Sequence, residues 1–342
     1  MIDTVKIVSM IDLHIYNAIR SASIIKTSYH SATGEIFYTI INDSIEGSYS
    51  SSLSVRIGEG SKYKFTNMYY IEIEGSYHKI IRGYNSHNGF YNLVFISKEL
   101  IKLVENAYKI KLPTIKHWFI QRVDIAMCYN LKTQENIKAY INNLNCCNYP
   151  RRKLKHYEEE SIYLTGSTTT LKIYNKLKEF KKHDLKKFKN TDFNIIDYLE
   201  QIKGFIRFEC EIKKRKLTTV YNKKYIRVYS ISYNELKNIW YEEFSKFLKM
   251  LKNDLNIVNE RTLIKQRLFT MYNKTRAKNL FNFYLLISIQ GLQEIRRETN
   301  RSMYYKNIAD LKKANIDFSQ KLDVDLTNNI INFNPFKEKE IF

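Results

Sequence analysis

In "TLKIYNKLKEF", residues 170–180, a tyrosine stands between two lysines at alternate positions, with a glutamate three residues beyond the second. Alternate side chains of a strand share a face, which sets Lys172, Tyr174 and Lys176 together and turns Leu171 and Ile173 the other way. A phenol flanked by cations is a candidate nucleophile. A free tyrosine titrates near pH ~10, and positive charge beside it lowers the cost of the phenolate, with Lys176 as the charge partner. Two further runs show the same alternation. "RVDIA" puts Arg122 and Asp124 opposite Val123 and Ile125, and "IRFECEI" puts Arg207, Glu209 and Glu211 opposite Phe208, Cys210 and Ile212. Acids that alternate with core residues on central strands are costly unless they are paired or bind a cation. One sheet carrying Asp124, Glu209 and Tyr174 would set a divalent cation beside a phenol. Such a cation polarises a phosphodiester, and the phenolate attacks it to form a phosphotyrosyl link. The same residues also read as ordinary cross-strand ion pairs, Arg122 with Asp124 and Arg207 with Glu209 or Glu211. Tyr174 is moreover one of 27 tyrosines, so pattern alone leaves both readings open.

The elements that must position these residues are mostly strands in the first half. "DTVKIVSMIDLHI", "GEIFYTIIN", "SSLSVRIGE", "KFTNMYYIEIEGS" and "FIQRVDIAMCY" are rich in β-branched and aromatic residues and are separated by Gly, Asn and Ser turns. Helical spacing predicts helices over 97–110, with Ser97 as cap, and over 133–144. "SIYLTGSTTTLKIYNK" reads as a hairpin turning at Thr165, Gly166 and Ser167; a basic, helical "KKHDLKKFKN" follows, and then the strand "GFIRFECEIKK". From about 230 the pattern is helical, in "SYNELKNIWYEEFSKFLKMLKN", "TRAKNLFNFYLLISIQG" and "SMYYKNIADLKKANI". The expected fold is α+β: a central antiparallel-rich sheet with flanking helices over 1–225, and a C-terminal helical unit over 226–342.

Composition narrows the partners. Lys and Arg number 56 against 35 Asp and Glu, a formal charge of +21, which favours a polyanion such as nucleic acid. An AT-rich coding sequence would account for the lysines but not for the shortage of acids. Hydrophobic residues make up 44% of the chain, ample for a large core. The four cysteines form no CxxC pair, and reduced thiols are expected, including the vicinal Cys146 and Cys147. The first residues read as a strand rather than a signal peptide, and no apolar run is long enough to span a bilayer, so a soluble protein is expected.

Five short motifs in order resemble the replication endonucleases of filamentous phages and related plasmids, the gene II/X or CRI-type family, and more distantly the Rep_trans rolling-circle initiators. "MIDTVKI" stands at the start. "YIEIEGSYHKIIRGYN" matches through Glu72, Lys79, Gly83 and Asn85, "RVDIA" matches a strand of Arg, then Ile or Val, then Asp, "TLKIYNKLKE" a T-L-x-x-Y-x-K-x-x-E element, and "IRFECEIKKRKL" an R-F-E strand. The closing helices "RAKNLFNFYLLISIQG" and "RSMYYKNIADLKKANID" are similar as well. The resemblance implies a nickase-ligase that starts rolling-circle replication in the bacterial cytoplasm. Tyr174 would be the nicking residue, Lys176 and Glu179 its motif companions, and the bond a covalent 5′-phosphotyrosine. It implies Mg²⁺ or Mn²⁺ as cofactor. The wider nickase superfamily often holds its metal with a His-hydrophobe-His pair, which the seven histidines here do not form. The metal is therefore expected on carboxylates, Asp124 and Glu209 with Glu179 or Glu72 assisting, and Glu211 ranked lower. Lys172, Lys79, Arg122 and Arg207 are expected DNA contacts, and His78 a surface residue. Origin DNA, single- or double-stranded, is the expected partner; a host helicase and a second copy of the chain are further candidates, and a membrane is not.

"IQGLQEIRRETNRSMYYKNIADLKKANI" reads helix, polar turn, helix, with Arg296, Arg297, Arg301 and Lys306 near the junction. Such a unit can dock in the major groove with Arg297 and Arg301 on phosphates, or pack on its neighbour with a solvated basic face. The rival function is an origin-binding initiator or regulator that keeps the fold without the chemistry. A tyrosine recombinase fits less well, because that class needs a helical catalytic domain and Tyr174 lies among strands.

Overall fold

The computed structural model of the chain describes residues 1–23, 25–29, 31–33, 36–46, 52–59, 68–84, 89–144, 149, 151–157, 160–188, 193–255 and 261–316. β1 (Ile2–Ile11) stops at Asp12, whose carboxylate accepts the Ile15 N–H and caps α1 (Leu13–Ala22). Sequence alternation carried that strand on to Ile15; the cap ends it. β2 (Ile25–Tyr29), β3 (Ile36–Glu46), β4 (Ser52–Glu59) and β5 (Tyr69–Ser76) follow. Next comes the short α2 (Tyr77–Arg82), closed by Gly83 at φ 78°, a left-handed conformation that glycine adopts without strain. α3 (Leu93–Tyr108) starts four residues earlier than its spacing suggests. Its cap is Asn92, which accepts the Phe95 N–H, and Ser97 is buried within the helix.

β6 (Phe119–Asn130), α4 (Gln134–Leu144), β7 (Lys153–Tyr157), β8 (Ser161–Thr165) and β9 (Thr169–Asn175) come next. Then follow α5 (Lys176–His183), α6 (Ile195–Gln201), β10 (Phe205–Lys213), α7 (Lys214–Tyr221) and α8 (Tyr233–Leu255). The chain continues through α9 (Arg261–Met271), α10 (Lys274–Gln290), α11 (Leu292–Glu298) and α12 (Arg301–Lys313).

The strands form one ten-stranded sheet in the order β2-β3-β4-β5-β1-β6-β10-β9-β8-β7, with every neighbouring pair antiparallel. This is the α+β architecture expected. One face is apolar: Val5 and Ile7, Ile71 and Ile73, Val123 and Ile125, Phe208 and Cys210, and Leu171 and Ile173 join a single buried core. α3, α4, α7 and α8 add to it through residues such as Leu100, Ile141, Leu217 and Trp240. The Trp240 indole N–H donates to the Phe208 carbonyl, tying α8 to the centre of the sheet.

The helices α9–α12 bury a cluster of their own, including Leu268, Leu280, Phe283, Tyr304 and Leu311. Arg276 holds Asp310 at 2.5 Å and thereby joins α10 to α12. No helix among the described residues is long and apolar enough to cross a membrane. Cys128 and Cys210 are buried free thiols, while Cys146, Cys147 and Asn85 lie outside the described residues.

The boundary expected near 225 falls just before a segment that completes the sheet's core. Leu236, Ile239, Trp240, Phe244 and Phe247 of α8 are all at most 4% exposed. Burying each such side chain contributes about 1.5–3 kcal/mol, and the five together rival the ~5–15 kcal/mol net stability of a whole domain. A fragment ending at residue 255 should keep a cooperative thermal transition by circular dichroism, and one ending at 225 should lose it. Equal melting of the two would show that the sheet does not need α8.

Candidate active site

The opposite face of the sheet is charged. Reading across it, Arg56 of β4, Glu72 and Glu74 of β5, Lys6 of β1, Arg122 and Asp124 of β6, Arg207, Glu209 and Glu211 of β10, and Lys172 and Tyr174 of β9 lie on neighbouring strands in register. At its centre Glu211 stands directly opposite Asp124. Two like charges facing each other across a strand pair are destabilising unless a cation joins them. Two cations do. Arg122 clasps Asp124 through Nε at 2.8 Å and Nη2 at 2.5 Å and reaches Glu211 at 3.5 Å. The Lys172 ammonium lies 2.7 Å from Glu209, 3.7 Å from Glu211 and 3.9 Å from Asp124.

Tyr174 comes next. Its hydroxyl donates to Glu209 Oε2 at 2.9 Å, a diagonal contact, since Tyr174 itself pairs with Arg207. Glu209 thus accepts from the phenol with one oxygen and from Lys172 with the other. Burial holds the Tyr174 pKa well above the ordinary tyrosine value; Arg207 opposes this, while Glu209, Glu179 and Asp3 add to it. At rest the residue is a neutral phenol facing an acid. Burial also works against the charge of Lys172, but Glu209 and Asp124 outweigh it and hold the ammonium protonated. Burial raises the Asp124 carboxyl to about 7, with Glu209 adding to the effect, against the pull of Arg122 and Lys172, so its charge persists only by virtue of those two cations.

Lys176 departs from strand parity. β9 ends at Asn175, whose side chain caps α5 by accepting the Lys178 N–H, so Lys176 is the first residue of a helix rather than the last of a strand. It is fully buried and donates to Glu179 Oε2 at 2.6 Å. The early end of the strand also brings Glu179 to this end of the sheet. Burial opposes the Glu179 charge, but Lys176 and Lys79 outweigh it and keep its pKa low. Lys79 reaches from α2 to Glu179 at 3.9 Å and to Asp184 at 4.0 Å. Here the polar face runs under a small apolar cap: Leu177 and Phe180 of α5 and Tyr198 of α6 pack with Cys128 and Phe205. Tyr174 is only 6% exposed.

Other expected residues stand elsewhere. Glu72 is held by Lys6 at 2.7 Å and Arg56 at 3.6 Å. The strands β1 and β6 separate it from β10, about 14 Å at normal strand spacing, so it does not share a cation with Glu209. Arg207 is fully buried against Asp3 at 2.8 Å and presents nothing to a phosphate in this state. Lys172, Lys79 and Arg122 are partly exposed, each engaged with acids. Arg297 and Arg301 lie on α11 and α12, with Arg297 3.4 Å from Glu294.

His78, expected at the surface, is fully buried: its ring stacks on Phe90 at 4.9 Å and Nε2 accepts the Phe90 N–H. Alternation hid Asp3, because parity with Val5 and Ile7 would turn it into the core. A bulge in β1 between Ile2 and Val5 resets the register, and Asp3 meets Arg207 and the Ser76 hydroxyl.

Among the described residues no three His, Cys, Asp or Glu side chains stand ready arranged around a metal. The chemistry of the Asp124, Glu209 and Glu211 set nevertheless suits a hard cation: three carboxylates converge on one positive centre, which here is the Lys172 ammonium.

Residues 1–234 match the phage CRI family, whose description is replication-associated protein, N-terminal. The chain belongs to this family. The match takes in the whole charged face, every strand of the sheet and the start of α8, and it stops short of α9–α12. Membership makes this a replication-associated protein of the phage type. No curated protein matches the chain.

The burial of His78 has a consequence for stability. Burial pushes its pKa from 6.5 down to about 4, with Arg207, Arg82 and the chain's amino terminus adding to the effect and Asp3 opposing it. The folded state therefore binds the proton more weakly than the unfolded chain. Stability should fall by up to about 3 kcal/mol as pH drops from about 6.5 towards 4, and stay level above that window. Urea titrations of the wild type and His78→Gln across this range check it. The same slope in both would place the pH dependence elsewhere.

Proposed function

We propose that the chain nicks and rejoins one strand of its replication origin, with Tyr174 as the attacking residue. The hydrogen bond from Tyr174 to Glu209 carries the reading, for it joins the nucleophile to a proton acceptor in a charged face that lies within the residues the family model matches. Tyr174 Oη attacks the scissile phosphorus, its proton passes to Glu209, and the bond from phosphorus to the 3′ oxygen breaks. The 3′ oxygen leaves with the bonding electron pair and takes a proton from water to become a free 3′-hydroxyl, while the 5′ phosphate stays on the tyrosine. Attack by that hydroxyl, with its proton returned to solvent and that on Glu209 to the departing tyrosine, reverses the step and reseals the strand. Because the phenol is held neutral, proton loss accompanies attack rather than preceding it. Arg207, the strongest positive influence on Tyr174, stabilises the oxygen as charge develops.

A bound Mg²⁺ or Mn²⁺ would polarise the phosphate. Asp124 and Glu209 would hold it, with Glu211 as third donor, in place of the Lys172 ammonium. Glu179 is committed to Lys176 and Lys79 and serves instead to position the start of α5.

The rival reading, an origin-binding initiator without chemistry, draws its support from the burial of Tyr174. Under the catalytic reading, DNA binding opens the contact of Lys79 with Glu179 and Asp184 and admits the phosphate. Labelled single-stranded origin oligonucleotides, incubated with Mn²⁺ or EDTA and resolved by denaturing gel and mass spectrometry, separate the two. The expected result is an adduct on the peptide carrying Tyr174, absent from Tyr174→Phe and reduced by a factor of roughly 10²–10⁴ in rate in Glu209→Gln, with binding retained in both. Tight binding without an adduct would favour the rival. For the metal, Lys172→Met should tighten Mn²⁺ binding measured by calorimetry without DNA, and Asp124→Asn should weaken it. If neither substitution changes it, these carboxylates are not the site.

A further inference from the structure

The C-terminal helices carry a feature that nicking does not use. Between α11 and α12 lies a cleft of about 320 Å³ lined by Arg296, Arg301, Tyr304 and Tyr305. Tyr304 is buried, with its ring edge-on to Phe283 at 6.0 Å, and so belongs to the helical core. Tyr305 meets Tyr304 edge-on at 5.4 Å and an interplanar angle of 86°, yet remains 47% exposed. Arg296 donates from Nη2 to the Tyr305 hydroxyl at 3.2 Å, which pins the phenol end of the ring across the junction of the helices. Two contacts therefore hold an exposed aromatic ring in one orientation. Neither Arg296 nor Arg301 has a carboxylate within ion-pair distance among the described residues, whereas neighbouring Arg297 has Glu294 at 3.4 Å.

A fixed ring with two guanidiniums beside it is complementary to a planar group that carries negative charge at its edge. We infer that this cleft binds one nucleotide of single-stranded DNA, the base stacked on Tyr305 and its phosphate on Arg296 and Arg301. Stacking on a protein ring requires a base free of its neighbours, which a single strand offers and a duplex does not. The volume stands near the lower end for ligand sites, with room for one unit rather than a helix of DNA. An acidic peptide would satisfy the arginines and leave the ring face without a partner. The inference rests on the proposed action of the chain on DNA and is independent of Tyr174 chemistry. The cleft lies beyond residue 234, where the family match ends.

The test uses the full chain in EDTA, with a fluorescent oligothymidine and a duplex of equal length, read by anisotropy over a range of salt. Tyr305→Ala should weaken single-strand binding roughly tenfold or more and leave duplex binding nearly unchanged, while Tyr305→Phe keeps most of the affinity. Arg296→Ala and Arg301→Ala should each lower the salt slope by about 0.7. An oligonucleotide bearing 5-iodouracil should crosslink to the peptide of α12 that contains Tyr305. Equal loss for single strand and duplex, no loss in Tyr305→Ala, or crosslinks only to other peptides would each overturn the inference. Tyr174→Phe should bind and crosslink as the wild type does, so a failed nicking assay and a failed cleft are distinguishable.

Discussion

Glu209 is shared: one oxygen accepts from Tyr174 and the other from Lys172. The rest of the charged face follows from that bond. Lys172 carries the link to Glu211 and Asp124, Arg122 extends it to Glu74, and Lys6 joins Glu74 to Glu72. A carboxylate buried alone in a sheet would be driven to protonate or to unfold its surroundings. Here each acid has a cation from an adjacent strand or from its own. The network depends on register, because a slip of one residue would turn every charge into the apolar core. Folding of the sheet and assembly of the site are therefore the same event.

Under the proposed reading, that coupling explains how the nucleophile is kept. A tyrosine surrounded by cations would be reactive in the resting protein. A buried, neutral one hydrogen-bonded to a carboxylate is not. The phenol, its proton acceptor and a buried guanidinium are already in place, so the only change left to substrate is access. Lys79 is suited to mark that change, since it is partly exposed and touches Glu179 and Asp184 at the limit of ion-pair distance. A polyanion entering a chain of charge +21 competes directly for such a lysine.

The helices beyond the family match add a different kind of surface. The face of the sheet is a dense lattice of paired charges, whereas the junction of α11 and α12 offers arginines beside an oriented ring. Paired charges position a phosphate for chemistry; a ring and guanidiniums can hold a strand. The two surfaces suit the proposed role, in which the protein both cuts DNA and keeps hold of it.

How much of this was legible beforehand depended on whether local spacing or a distant partner decided each residue. Alternation in "RVDIA", "IRFECEI" and "TLKIY" determined which residues share a face, and hence that Asp124, Glu209, Lys172 and Tyr174 would meet if their strands were neighbours. Ordered motifs determined the family, the basic excess pointed to a polyanionic partner, and helical spacing found α4, α8, α10 and α12. Only the tertiary structure decided the rest. The Asn175 cap ended β9 before Lys176 and sent that lysine to Glu179, a competition between helix and strand that spacing cannot resolve. The bulge in β1 brought Asp3 to Arg207, against its own parity. Strand order set Glu72 apart from Glu209, although both lie on the same face. His78 is buried because Phe90, twelve residues on, supplies both a stacking ring and a donor. Sequence spacing specifies which way a side chain points, but what it meets is set by pairing between strands far apart in the chain.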